Sequence, residues 1–298
     1  MDTSLKHPVA RDTPVAAECH AGFPGGFAVL MAVYLRDDPR LFEVAIDSVF
    51  LNDLQPAQFV LVADGPLSKG LEQRLQTLQQ RYSNRVELLR LPANLGLAHA
   101  LNAGLRYISL PWVVRADADD FNLPHRFAAL AELLACHPQL ELMSSAILEV
   151  DTSGQPIAVR GVPTSEEEIR RFVKFRNPFN HMAVAFRRDA VLSCGGYPNV
   201  YLKEDYALWC LMLARNTRVA NSAEALVRAT TGRDMYRRRG GWRYAKAEWE
   251  LQNVMVSCGL KTKARAWRDG LFRAVGFLAP AGFRGKLYEL FLREKLKR

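Results

Sequence analysis

The sequence predicts an α/β protein in which a mostly parallel central sheet is flanked by helices and followed by a C-terminal helical extension. Three observations carry that expectation. Short, continuous apolar runs alternate with segments of helical spacing through the first half of the chain, as strand–helix–strand units do. One of these runs, WVVRADADD at 112–120, passes directly into acids. Charge is also uneven: of the formal net +9, residues 261–298 hold eleven Lys/Arg against three acids, leaving the body close to neutral.

The elements follow in order. FAVLMAVY (27–34) is an unbroken apolar run, as expected of a strand buried on both faces. Leu41, Val44, Ala45, Ser48 and Val49 then form one helical stripe. QFVLVADG (58–65) predicts a second strand, Leu71, Leu75, Leu78 and Tyr82 a helix, and RVELLRL (85–91) a third strand. A helix carries Ala98, Leu101 and Leu105 on one side. PWVVRADADD (111–120) is the fourth strand, and Phe127, Leu130, Ala131 and Leu134 mark the helix after it. The second half is less regular. Strands are expected at 140–150 and 183–188, with a capping box at Ser165 and Glu168 opening a short helix between them. GGYPNVYLKEDYALWCLML (195–213) moves from a glycine-rich loop into a helix whose first turn holds Glu204 and Asp205.

These elements divide the chain into a flexible extension at 1–25, a main domain at 26–250 and a basic amphipathic tail at 251–298. The main domain splits into a nucleotide-binding half (26–122) and an acceptor-binding half (123–250). The first residues are polar and dotted with Pro and Gly, without the apolar segment of a signal peptide. No apolar run approaches the ~18 residues of a membrane span. The five cysteines are scattered with no CxxC spacing, which points to reduced thiols and away from zinc. In the tail, Trp267, Leu271, Val275 and Leu278 share a face flanked by Arg265, Arg268 and Arg273, and Leu287, Leu290 and Phe291 repeat the pattern beyond Pro280. Such helices lie in membrane interfaces or cap the domain they follow.

Open parallel sheets bind ligands beyond the carboxyl ends of their strands, and both Asp64 and the Asp117–Asp120 acids stand at such ends. Hard cations such as Mg²⁺ or Mn²⁺ take oxygen ligands, with one or two carboxylates sufficing where phosphates complete the shell. The same acids also suit a solvated turn or a helix N-cap. Glu204 and Asp205 suit a helix N-terminus through its dipole, or a general base. Trp209, one turn after Asp205, is a core tryptophan or a sugar platform. Arg233–Gly241, RDMYRRRGG, is a cationic loop, either solvated or able to close over an anion.

The ordered set VYLRDD (33–38), VADGP (62–66), NLGLAHALNAGL (94–105), RADADD (115–120) and KEDYALW (203–209) resembles the inverting family-2 glycosyltransferases, which have the GT-A nucleotide-diphospho-sugar transferase fold. NPFNHMAVAFRR (177–188), GGYPNVYLKEDYALW (195–209) and MYRRRGG (235–241) resemble the branch that includes the amylovoran-biosynthesis glycosyltransferases. The resemblance covers about residues 27–250. It implies a DxD motif in which Asp117 contacts the ribose or the metal and Asp119 binds Mn²⁺ or Mg²⁺ bridging the donor phosphates, with Asp120 in support. It further implies that Arg115, Asp64, Asn94 and Gly96 line the nucleotide site, although Ala63 stands where the family more often has a base-contacting acid. Arg237 and Arg238 would cover the diphosphate. His181 would contact metal or phosphate, unless it is simply a structural histidine. Glu204 and Asp205 match the family's ED motif, with Asp205 as base.

The expected partners are then a UDP-sugar donor and a polyprenyl-diphosphate-linked or growing glycan acceptor of bacterial surface polysaccharide. Peripheral contact with an anionic membrane is expected, at the inner face of the cytoplasmic membrane, and nucleic acid is not. Two other readings compete. A nucleotidyltransferase of related fold needs a glycine-rich loop near the first strand, which VLMAVYLRDDP lacks. A non-catalytic polyanion binder accounts for the tail but not for the acids.

Overall fold

The computed structural model describes residues 22–82, 85–151, 153–231, 240–278 and 294–295. Four strands form the parallel half of one sheet: β1 (Phe27–Tyr34), β2 (Gln58–Asp64), β3 (Val86–Arg90) and β4 (Trp112–Asp117), in the order β3-β2-β1-β4. The helices between them are α1 (Pro39–Phe50), α2 (Lys69–Arg81) and α3 (Leu97–Tyr107). After β3 the chain crosses back to the other side of β1, so the strand order reverses between β1 and β4. The register pairs Tyr34 with Asp64 and Ala32 with Asp117. Both acids therefore face the crevice that such a reversal opens at the strands' carboxyl ends.

The strands are buried on both faces because alternate residues enter two different cores. Val29, Met31 and Leu61 pack with Phe42 and Ile46 of α1, with Leu71 and Leu75 of α2, and with Phe127 and Leu130 of α4 (Arg126–Cys136). Leu30, Val60 and Val62 face the opposite way, toward Leu101 and Leu105 of α3. That second core extends to Trp209 of α7 (Glu204–Ala214) and to Leu251 and Met255 of α8 (Trp242–Ser257).

Beyond β4 the sheet becomes mixed. β8 (Ala185–Arg187) is antiparallel to β4, and β6 (Leu142–Val150) is antiparallel to β8. β6 then pairs antiparallel with β7 (Pro156–Arg160) and parallel with β9 (Val219–Thr230). Two-residue strands complete it, β5 (Phe121–Asn122) on β9 and β10 (Glu294–Lys295) on β7. The strand expected at 183–188 begins instead as a 3₁₀ turn, His181–Ala183. The capping box forms as expected, opening α5 (Glu166–Phe172). A further short helix is α6 (Arg188–Ser193).

The tail departs from its expected boundary at 250/251. Helix α8 runs unbroken from 242 to 257 and is followed by α9 (Lys263–Leu278). Helices α8 and α9 approach closely at Gly270, where an added Cβ would lie 2.9 Å from the Trp249 ring. Ala266 and Ala274 are buried on that side of α9, whereas Trp267, Leu271 and Phe272 are exposed. The amphipathic stripe of the sequence is thus in part the outward face, and the small residues make the packed one. Among the described residues, no helix is long and apolar enough to cross a membrane.

Candidate functional site

At the end of β4, Asp117, Asp119 and Asp120 bring carboxylate oxygens within 4.8 Å of one another. Asp120 is buried, Asp117 half-buried and Asp119 exposed. The wholly buried Arg115 pairs with Asp117. Burial pushes the Asp117 carboxyl up, but that guanidinium outweighs it and holds the group below its usual range. Among the described residues, no guanidinium forms an ion pair with Asp120 as Arg115 does with Asp117. Burial, then the Asp119 and Asp117 charges, push it well above the carboxylate range. Behind the cluster, Arg126 donates to the Arg115 carbonyl at 2.8 Å and to Asn122. Burial and Arg115 lower it to about 9. An all-oxygen donor set with an excess of negative charge fits a hard divalent cation.

The end of β2 is organised differently. Asp64 accepts from the Leu95 amide at 2.8 Å and from the Gly96 amide at 2.9 Å, while Asn94 Nδ2 donates to the Asp64 carbonyl at 3.3 Å. Gly65, at φ +85°, allows this approach, since a Cβ there would sit 2.6 Å from the Asn94 nitrogen. Both Asp64 oxygens are thus engaged by loop amides. Asp64, expected to line the nucleotide site, is in this structure the anchor that holds Asn94 and Gly96 at the crevice.

A second group gathers at the start of α7. Asp205 Oδ2 accepts from Asn177 Nδ2 at 2.6 Å, and Oδ1 from the Tyr206 amide at 2.7 Å. Glu204 is buried. Burial and the neighbouring Asp205 charge raise it to about 7. His181 Nε2 lies 3.1 Å from the Tyr197 hydroxyl, and burial and then the Arg115 charge lower the imidazole to about 4. His181 is therefore neutral at pH 7 and stands outside the carboxylate cluster to which the sequence reading had joined it. Asp205 and Asp117 both oppose that lowering, so the charges of both acidic groups reach the imidazole. Trp209 is fully buried against Phe179, His181 and Tyr197, a core tryptophan and not a platform. Arg237 and Arg238 lie outside the described residues.

Asp205 also lies on the wall of a cavity of about 850 Å³. Asn177, His181 and Lys203 form one side, and Tyr244, Arg268, Phe272 and Phe277 from α8 and α9 form the other.

The model for "Glycosyl transferase family 2" matches residues 28–194. The amylovoran biosynthesis glycosyltransferase AmsE of Erwinia amylovora is 34% identical over 88% of this chain and 98% of its own length. The chain belongs to glycosyl transferase family 2. Escherichia coli UDP-Gal:alpha-D-GlcNAc-diphosphoundecaprenol beta-1,3-galactosyltransferase is 32% identical, over 91% of this chain and 98% of its own. The fold is also that of S. aureus TarS 1–349, solved with UDP. Its TM-score is 0.61 at 17% identity, over 90% of this chain and 75% of that one. The mannosyltransferase PcManGT from Pyrobaculum calidifontis, solved with GDP-Man and Mn2+, gives 0.56 at 17% identity, over 89% and 80%.

In this family 2 glycosyltransferase the structure joins Arg115, Asp117, His181, Glu204 and Asp205 electrostatically across both halves of the chain. Sequence reasoning missed three other participants. Asn177 opens the NPFN run, where nothing local marks it as a partner of Asp205. Arg126 reads as an ordinary helix arginine. Glu248 interrupts the apolar stripe Tyr244, Leu251 and Met255 of α8, and that interruption was the available signal.

Proposed function

We propose that this glycosyltransferase moves a sugar, with inversion at the anomeric carbon, from a UDP-sugar to a lipid-diphosphate-linked glycan in bacterial surface polysaccharide assembly. One observation carries the reading: the oxygen cluster at the β4 end and the Asn177-held Asp205 are separate acidic groups, and only the latter borders the large cavity. That separation suits a single displacement, in which leaving group and entering hydroxyl stand on opposite sides of the reacting carbon.

Asp117 and Asp119 would hold Mn²⁺ or Mg²⁺, with Asp120 behind them. Such an ion, when bound, supplies the positive charge that stabilises a departing diphosphate. Asp205 takes the proton of the acceptor hydroxyl as its oxygen bonds to the anomeric carbon, and the bond from that carbon to the diphosphate breaks with its electron pair leaving on UDP. Asn177 fixes the Asp205 carboxylate for this task. Arg115 holds Asp117 ionised, and the Asp64-anchored loop brings Asn94 and Gly96 to the nucleotide. Arg237 and Arg238 are assigned to covering the diphosphate. Residues 26–122 form the donor half and those from 123 the acceptor half.

The relatives support this reading through what their names say they act on: a UDP-Gal donor with a diphosphoundecaprenol-linked acceptor, and amylovoran biosynthesis. The solved complexes with UDP and with Mn2+ share the fold. An enzyme using such an acceptor works at the cytoplasmic face of the membrane, and the exposed Trp267, Leu271 and Phe272 give it a surface to approach with.

The test is a thermal-shift screen of UDP-, GDP- and TDP-sugars with Mn²⁺, followed by a transfer assay with the best donor. Stabilisation by a UDP-sugar that depends on Mn²⁺ and is lost in Asp119→Asn is expected, because a bound donor stabilises the native state by mass action. Undiminished transfer in excess chelator would overturn the reading.

A further inference from the structure

We propose that α9 completes the acceptor site: Arg176 and Arg268 bind the diphosphate of a polyprenyl-diphosphate acceptor in the cavity beside Asp205, and Phe272 with Phe175 takes its first prenyl units. This deepens the reading above and rests on it for the role of Asp205.

Three features of the cavity carry the assignment. The first is charge. Its lining includes five cationic side chains, from Arg160, Arg176, Lys203, Arg268 and Arg273, with the carboxylates of Asp205 and Asp269; Glu248 pairs with Lys203 and Arg273, and Glu149 with Arg160. His181 adds no charge to it at neutral pH. A neutral sugar hydroxyl has no use for a set of guanidinium groups, whereas a diphosphate does, and arginine is the side chain best shaped to hold one.

The second is the division of labour among those cations. Lys203 is committed to Glu248 at 2.8 Å, and Arg273 donates to the Phe175 carbonyl. These two build the wall. The Arg268 side chain, held at 3.0 Å by Asp269, is 73% exposed and lines the cavity. Arg176 lines the same space from the segment before Asn177.

The third is the rim. Phe272 is 82% exposed and Phe175 52%, and both line the cavity. Exposed aromatics contiguous with a ligand site mark a surface that is covered in use. Arginines within the cavity and two exposed aromatic rings on its lining describe one occupant, a lipid diphosphate. Its sugar then reaches Asp205, and its first prenyl units pass over Phe272 and Phe175.

The experiment titrates the full-length protein, in excess chelator, with farnesyl diphosphate, inorganic diphosphate and farnesol, read by tryptophan fluorescence and calorimetry. The proposal expects farnesyl diphosphate to bind at least about tenfold more tightly than either fragment alone. It also expects UDP with Mn²⁺, added in a parallel titration without chelator, not to displace it, and Arg268→Ser and Phe272→Ser each to weaken it by about tenfold or more. Both side chains are exposed, so the variants should melt as the parent does. Displacement by UDP would place the binding in the donor site and overturn the proposal. Unaltered affinity in both variants would do the same, as would capture of phosphatidylglycerol vesicles with no preference for farnesyl diphosphate over inorganic diphosphate. Failure of the donor reading would appear elsewhere, as a missing Mn²⁺-dependent shift with UDP-sugars.

Discussion

Glu204 and Asp205 are adjacent yet differ in state because their surroundings differ. The Asp205 carboxylate accepts from Asn177 and from the Tyr206 amide, while Glu204 is turned into the interior and raised to about 7. The folded protein therefore keeps the Glu204 proton to about pH 7, whereas the unfolded chain releases it near the ordinary glutamate value of 4.5. The folded state binds the extra proton between those values, so this group's contribution to stability is full below about pH 4.5 and is lost as pH rises through about 7. Glu204→Gln should gain on the parent by on the order of 3 kcal/mol between pH 4.5 and 8, at about 1.4 kcal/mol per pKa unit. Urea midpoints measured at pH 5 and pH 8 test this, and a difference that does not change with pH would contradict it. Asp205→Asn is expected to lower the transfer rate by a factor of about 10² to 10⁴ with donor binding retained. Single-turnover rates beside donor thermal shifts check that, and loss of donor binding would count against a base.

Among the elements, α7 and α8 are joined by an ion pair whose partners are almost completely buried. Lys203, the N-cap residue of α7, pairs with Glu248 at 2.8 Å, with exposures of 7% and 0%. Gln252 donates to Glu248 at 2.7 Å, and Lys261 bridges Gln252 at 3.0 Å to Asp269 at 2.9 Å. A polar chain thus links α9 to the residue preceding the two acids of α7. Removing one partner of a buried pair strands the other, so Glu248→Ala should cost about 3–5 kcal/mol. Replacing both, as Lys203→Met with Glu248→Leu, should cost less than the single change, and denaturant melts of the three proteins decide this. Gly270→Leu should separate α8 from α9 by meeting the Trp249 ring, with a destabilisation of about 1–3 kcal/mol in the same assay.

For the molecule as a whole, the question is what the C-terminal helices belong to. Ala266, Ala274 and Lys261 are buried, and α9 supplies part of the cavity wall. Deleting residues 261–298 should therefore lower the melting temperature by several degrees, not merely release the protein from membranes. An unchanged melting curve would show instead an appendage. The exposed apolar face and the basic excess of the same segment suit it to an anionic surface in addition.

The first half of this architecture could be read along the chain because its causes are local. Apolar runs such as FAVLMAVY and stripes such as Leu71, Leu75 and Leu78 each satisfy one period, and the strands and helices formed where those periods put them. The acids at 117–120 were legible for the same reason, as charge concentrated at the end of an apolar run. Strands β7 and β9 and helix α8 were not, because their faces are only partly buried and their pattern makes sense only beside β6 and α7. Whether a carboxylate is free or engaged is likewise set by residues distant in sequence. Asp64 is held by amides some thirty positions on, Asp205 by Asn177, and Lys203 by Glu248. Composition and periodicity were enough for the sheet, its crevice and the acids at its edge. Burial and long-range contacts alone assigned each acid its partner and its charge, since desolvation and the Coulomb field depend on what the finished fold packs around a group.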